Sequence, residues 1–180
     1  MPSVPIVFDR SLVRRRRARS LARSHRPDFL DAVTASEIED RFSSVNRSFA
    51  TTLIHGGGSG ALVERIAAMG RGGRVFVSDY LPQSGVDLVL DEELLPIARS
   101  RLGCVIHAGG LESVNDLPGA LSQIRSCLLP DGLFLAAALG GETLKELRAA
   151  WIAAESELLG GVTPRVSPFI QVREWGTLLQ

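Results

Sequence analysis

One stretch restricts the fold more than any other: Ser48-Phe49-Ala50-Thr51-Thr52-Leu53-Ile54-His55-Gly56-Gly57-Gly58-Ser59-Gly60-Ala61-Leu62-Val63-Glu64-Arg65-Ile66. It reads as a short apolar strand, a glycine-rich turn and a helix. Phe49 to Ile54 is a β-type run bounded by glycine. Leu62, Ile66 and Met69 then recur at helical spacing, and Gly70 ends the helix. Between them Gly56, Gly58 and Ala61 fit a G-x-G-x-x-G/A pattern. Glycine permits a tight turn with positive φ and lets a ligand approach the backbone. The amides at the following helix N-terminus point toward such a ligand with partial positive charge. An acid is expected roughly 20 positions on, to hold a ribose hydroxyl. Asp79 stands there, closing the run Arg74-Val75-Phe76-Val77-Ser78. The competing reading, a solvated Gly/Ser linker, is opposed by helical periodicity that resumes at once.

The 180 residues suffice for one α/β domain with a core, and 45% of them are hydrophobic, as in ordinary globular chains. No apolar run approaches the roughly 18 residues that cross a bilayer. The basic N-terminal region is not followed by the apolar core of a signal peptide. Cys104 and Cys127 lack metal-ligand spacing and sit in apolar surroundings, so buried free thiols in a reducing compartment are expected. Charge is uneven. Up to Arg26 there are eight arginines and one acid, Asp9, a net +7, and the remainder carries −7. Such asymmetry can mark an arm for nucleic acid or an acidic membrane. No aromatic residue interleaves the arginines to stack bases. A basic helix docked on its own acidic domain, or simply solvated, is therefore expected, with neither a nucleic-acid partner nor a membrane span. Lys145 is the single lysine, so the arginine bias reads as composition rather than function.

Phe8 to Arg23 is helix-compatible, and Pro27 interrupts it. Asp28 to Val45 is a second helical stretch with Leu30, Val33, Ile38 and Phe42 as core contacts. After the second strand at Asp79, Val86-Asp87-Leu88-Val89-Leu90 reads as a third and Leu102 to His107 as a fourth. Asp116 offers an N-cap and Pro118 suits a first helical turn, with Leu117, Leu121, Ile124 and Leu128 facing inward. Leu129-Pro130-Asp131-Gly132 reads as a stop and turn before the buried strand Leu133 to Leu139. Past Gly140-Gly141, Thr143 and Glu146 suggest a capping box. Leu144, Leu147, Trp151, Ala154 and Leu158 form the inner stripe of that helix, ended by Gly160-Gly161. A last amphipathic segment runs through Val172, Trp175 and Leu179. Strands alternating with helices imply a Rossmann-like parallel sheet with helices on both faces, and a ligand site beyond the strands' carboxyl ends.

Several segments together resemble a known family. Gly140-Gly141-Glu142-Thr143-Leu144-Lys145-Glu146-Leu147-Arg148, followed by Gly160-Gly161-Val162-Thr163-Pro164-Arg165-Val166-Ser167-Pro168-Phe169, is highly specific. Val114 to Ile124, Leu129 to Phe134, and Val7-Phe8-Asp9-Arg10 with the Arg14 to Arg17 cluster agree with it. The family is the class I S-adenosylmethionine methyltransferase-like proteins related to the complex I assembly factor that acts as an arginine hydroxylase. The chain is similar, more distantly, to the biotin-pathway malonyl-carrier-protein methyltransferases. The resemblance implies S-adenosylmethionine as cofactor, with Gly56, Gly58 and Gly60 facing its methionine part, Asp79 on the ribose and Asp91 before the adenine. It also implies an N-terminal helical, arginine-rich segment over 1–47 and a Rossmann-like domain over 48–180. Because the arginine cluster matches inside the family's own domain, the expectation is a cytoplasmic protein, as for bacterial members, and not a transit peptide. Family members continue past Leu178-Leu179-Gln180 into the last strands of the sheet, which this sequence does not show, so a C-terminally truncated fold is expected.

The chain departs from the family's pattern at three places. Ile54-His55 stand where an acid precedes the glycine turn, Leu102-Gly103 replace Phe-Asp at the fourth strand, and no aromatic lies near Ser113. Each removes a polar or stacking contact; a charge-assisted one is worth roughly 1.5–3 kcal/mol, about tenfold in affinity or more. Three functions are therefore open: a methyltransferase of unknown acceptor, a non-catalytic assembly-factor-like protein binding a protein partner, and a nicotinamide-binding Rossmann domain. Methyl transfer needs positioning more than a triad, so no catalytic residue is assigned. His55 and His107 lie near the expected rim, and His25, His55 and His107 show no spacing suited to iron or zinc.

Overall fold

The computed structural model describes residues 5–23, 29–56 and 60–180. Gly58 and His25 lie outside these. The chain forms two compact units, one ending at Ala138 and one spanning Leu139–Gln180.

The first unit holds helices α1 (Arg10–Leu21), α2 (Phe29–Ser43), α3 (Gly60–Ala68) and α4 (Leu117–Cys127) around strands β1 (Thr51–His55), β2 (Arg74–Asp79), β3 (Leu88–Val89), β4 (Leu102–Ala108) and β5 (Leu128–Ala137). The sheet is parallel throughout, in the order β3-β2-β1-β4-β5. The order reverses between β1 and β4, which is where open α/β sheets place their crevice.

Strand side chains alternate between faces. Ile54, Cys104, Ile106 and Ala108 pack with Ala35, Ile38 and Phe42 of α2 and Leu62 and Ile66 of α3. Leu53 and Val105 turn to the opposite face, where Leu102 and, on α4, Ile124 and Cys127 lie beside them. Both cysteines are buried free thiols, as expected, and burial pushes Cys104 up to about 12. The α4 N-cap is Asp116, which accepts from Gly119 N, with Pro118 in the first turn.

In this unit three expectations need correction. Leu30 and Val33 of α2 are exposed, and Ala35 joins Ile38 and Phe42 in the core instead. The stripe that packs on α3 and the sheet is thus confined to the C-terminal half of α2. Leu128 is not on the inner face of α4 but begins β5 in extended geometry. Leu102 pairs with Leu128 while Cys104 pairs with Leu133, so Leu129–Gly132 is a bulge inside β5 rather than a turn before it. Asp131 at φ 62° takes the left-handed step that lets the strand re-form.

The second unit contains α5 (Lys145–Leu159) and α6 (Val172–Leu178). Its expected capping box is absent: Leu144 occupies the N-cap in the left-handed region with no side-chain cap. The box belongs to α6, where Gln171 and Glu174 bond reciprocally. Gly160 ends α5 at φ 68°, as expected. The apolar stripe of α5 is not internal, since Leu147, Trp151 and Leu158 are exposed. The buried residue is Glu155, which accepts from Thr163 N at 2.7 Å and Arg165 Nε at 2.6 Å. These two contacts, the backbone donor first, hold its carboxyl below the usual range.

Ile106 is fully buried in the α2–α3 face. Ile106→Ala is expected to cost about 2–5 kcal/mol in denaturant unfolding. Leu158→Ala, on an exposed side chain, should change stability by less than about 0.5 kcal/mol.

Candidate functional site

The parallel register brings polar residues into a row at the carboxyl ends of the strands. Ser78 of β2 is the register partner of His55 on β1, and His55 is that of His107 on β4. Register partners point to the same face. The two imidazoles stand 4.7 Å apart, and His55 Nδ1 lies 2.8 Å from Ser78 Oγ. Histidines that look scattered in the sequence are therefore neighbours. Among the described residues, however, no group of three or more His, Cys, Asp and Glu could hold a metal ion.

The segment after β3 closes this row. Glu92 is buried, with Oε1 3.5 Å from His55 Nε2, near enough for charge attraction but too long for a good hydrogen bond. Arg10 of α1 bonds Glu92 Oε2, and its Nη2 lies 2.8 Å from Asp91 Oδ1. Burial would raise the Glu92 carboxyl, but His55 and Arg10 outweigh it and bring it down to about 2. His107 has neither ring nitrogen hydrogen-bonded and is enclosed, so desolvation drives it down to about 3.

Asp79 ends β2 almost fully out of water. Its Oδ1 accepts from Leu81 N at 3.0 Å and its Oδ2 from Arg17 Nη2 at 2.9 Å. Asp91 is half-buried, and its Oδ1 also accepts from Glu93 N at 2.9 Å. Gly56 follows β1 at φ 77° and donates to Ser78 O at 3.0 Å. A Cβ there would sit 2.5 Å from Gly109 O, so only glycine fits between the ends of β2 and β4. Gly60 opens α3 with no neighbour within 4 Å of a would-be Cβ. A cleft of about 200 Å³ joins Gly56, Gly60, Val63, Asp79 and the Gln83–Val86 loop. The buried Gln83 Nε2 there has no hydrogen-bond partner. Apolar walls, a carboxylate and an unused amide donor form a chemistry that fits a nucleoside.

The structure thus brings Gly56, Gly60 and Asp79 to one cleft, as expected, while Asp91 does not line that cleft and is paired with Arg10. Residue-type patterns did not single out Glu92, Arg10 or Arg17. The sequence signals near them were the +7 against −7 charge division and, for Arg10 and Arg17, the family resemblance at Val7-Phe8-Asp9-Arg10 and Arg14 to Arg17.

Comparison with known proteins adds kinship. The chain is 37% identical over 185 residues to the mitochondrial arginine-hydroxylase NDUFAF5 of Danio rerio, a match covering 96% of this chain and 57% of that protein. The chain is thus similar to the NDUFAF5 proteins over nearly its own whole length. It spans little more than half the length of these curated relatives. A malonyl-[acyl-carrier protein] O-methyltransferase of Xylella fastidiosa is 32% identical over 89 residues, covering 49% of this chain and 28% of that one. Among solved structures, the methyltransferase CalH in complex with SAH superposes with a TM-score of 0.53 at 19% identity, over 84% of this chain and 50% of CalH. The fold is that of the class I methyltransferases. No protein-family model matches the chain.

His107 is neutral when folded and protonates near 6.5 when unfolded, so stability is lost as pH falls below about 6.5, by up to about 1.4 kcal/mol per unit until pH 3. Glu92 acts in the same direction lower down: its contribution is full above about 4.5 and lost toward 2. His107→Leu should unfold in denaturant with nearly equal midpoints at pH 7.0 and 5.0, where the parent chain loses stability.

Proposed function

We propose that the chain binds S-adenosylmethionine at this rim and acts as a methyltransferase-like protein. The observation that carries the reading is Asp79, buried at the end of β2 beside the turn that follows β1, in a methyltransferase fold. Gly56, Gly58 and Gly60 would line the methionine part, Asp79 would take the ribose hydroxyls, and Asp91 would lie toward the adenine. Bound there, the cofactor would supply a methyl group already activated on a sulfonium. The chain's own part is to bind and orient: the α3 N-terminus offers amides, and the walls of Val63, Val77 and Val86 exclude water. His107, buried and with neither ring nitrogen hydrogen-bonded, lies outside this cleft and is neutral near pH 7, so it is no proton store for the site. No residue specifies the acceptor, and a protein substrate or partner suits the kinship better than a nucleic acid. No helix among the described residues is long and apolar enough to cross a membrane, and a cytoplasmic place is proposed.

A second reading has its own observation. Both Asp79 oxygens and one Asp91 oxygen already have partners within the chain. That favours an assembly-factor-like protein that retains the fold, binds a protein partner and makes little use of the cofactor. The nicotinamide reading is supported only by the glycine spacing and the acid at Asp79.

Calorimetric titration with S-adenosylmethionine, S-adenosylhomocysteine and NAD tests all three. Micromolar binding of the first two, weakened about tenfold or more in Asp79→Asn, with no heat from NAD, is the expected outcome. Absence of binding by any of them to a cooperatively folded chain would overturn the cofactor reading and favour the partner-binding one.

A further inference from the structure

The arginine-rich helix is not a solvated arm. Arg17 reaches Asp79 at the end of β2 with Nη2, while its Nη1 lies 3.7 Å from where a Cβ on Gly110, beyond β4, would be. In the order β2-β1-β4, one guanidinium therefore crosses the end of β1. Its Nη1 is also 3.8 Å from Glu92 Oε1. Arg10, two turns earlier on α1, holds Asp91 and Glu92 and lies 4.5 Å over the Tyr80 ring. Ahead of the helix, Asn115 Oδ1 accepts from the Val7 and Phe8 amides at 2.8 Å each. Yet α1 buries no residue of its own. It is fastened by charge and by that one asparagine rather than by an apolar face.

From this we infer that α1 is a built-in competitor for the nucleoside site, a strap whose Arg17 must leave Asp79 before a ribose can bind there. The inference rests on the cofactor reading above. A ribose diol donates to both carboxylate oxygens. Here Oδ1 already accepts from the Leu81 amide, and the Arg17 guanidinium stands against Oδ2, where one of the hydroxyls would have to come. A charge-assisted pair to a nearly dry carboxylate is stronger than the neutral contacts replacing it. The chain therefore rests closed, and the apparent affinity for the nucleoside is reduced by the fraction of molecules that are open. A partner presenting acidic groups to α1 would draw the arginines away and open the site. That links cofactor binding to partner binding without any change in the sheet.

The experiment combines calorimetry with S-adenosylhomocysteine and hydrogen exchange on the full chain. Arg17→Gln, which shortens the reach but keeps a polar head, should bind S-adenosylhomocysteine about tenfold tighter than the parent. In the parent, saturating ligand should speed exchange of the amides from Val13 to Leu21 while those of β1 and β4 slow. If Arg17→Gln does not fold, the exchange measurement on the parent alone decides. Ligand binding that slows exchange in α1, or weaker binding by Arg17→Gln, would make Arg17 part of the ligand's wall and overturn the strap, leaving the cofactor reading intact. No binding to the parent or to a folded Arg17→Gln would overturn both.

Discussion

Two carboxylates, Asp79 and Glu92, lie almost fully out of water at the end of a parallel sheet, and the local architecture depends on how they are compensated. A buried charge without a partner costs several kcal/mol. The sheet itself supplies little compensation: the Leu81 amide for one, and His55 at 3.5 Å for the other. The remainder comes from Arg10 and Arg17, more than sixty residues away in sequence. The helix that carries them has no apolar face to dock with, so the carboxylates place α1 as much as α1 neutralises them. Such a pair is weak evidence for stability and strong evidence for a specific arrangement, because removing one partner leaves the other buried and unpaired.

The same constraint explains the histidines. His55 stands where the related family turns from strand to glycine loop, and its register partners are Ser78 and His107. With Glu92 folded over that row, the space is too dry for a charged imidazole at His107. An acid at position 54 would instead fall on the opposite face, where Ile54 packs with Leu62 and Ile66. The apolar residue at 54 thus belongs to the core of the α2–α3 face, and the row His55, Ser78 and His107 lies on the other face of the sheet.

How far the sequence could be read follows from the range of each interaction. β1, β2, β4 and α4 were legible because alternation, helical spacing and the Asp116-Leu117-Pro118 signal are local. Gly56 was legible because a positive φ at a strand end has few solutions other than glycine. Gly56, Gly60 and Asp79 converge on one cleft because parallel strands bring their carboxyl ends together whatever the details of packing. The bulge at Leu129–Gly132 was not legible, since its turn residues serve equally to end a strand or to kink one, and only pairing with β4 decides. The α5 stripe misled for a related reason. Periodicity reports an apolar face but not what covers it, and here Glu155 is buried instead, held by Thr163 and Arg165.

The arginines mark the limit of local reading most clearly. The division of +7 and −7 shows that the two parts of the chain attract, but not which arginine meets which acid. Helical geometry narrows the choice. Arg10 and Arg17 are seven residues apart, two turns, and so share one face of α1, while Arg15 and Arg16 fall away from it and are exposed. A rim with Asp79 on one strand end and the Asp91–Glu92 pair on the neighbouring loop presents acids at a comparable span. Two cations at that spacing on a helix without an apolar face can dock in few registers. The chemistry that would make the rim attractive to a ribose, a dry carboxylate at the end of β2, also makes it attractive to the chain's own arginine.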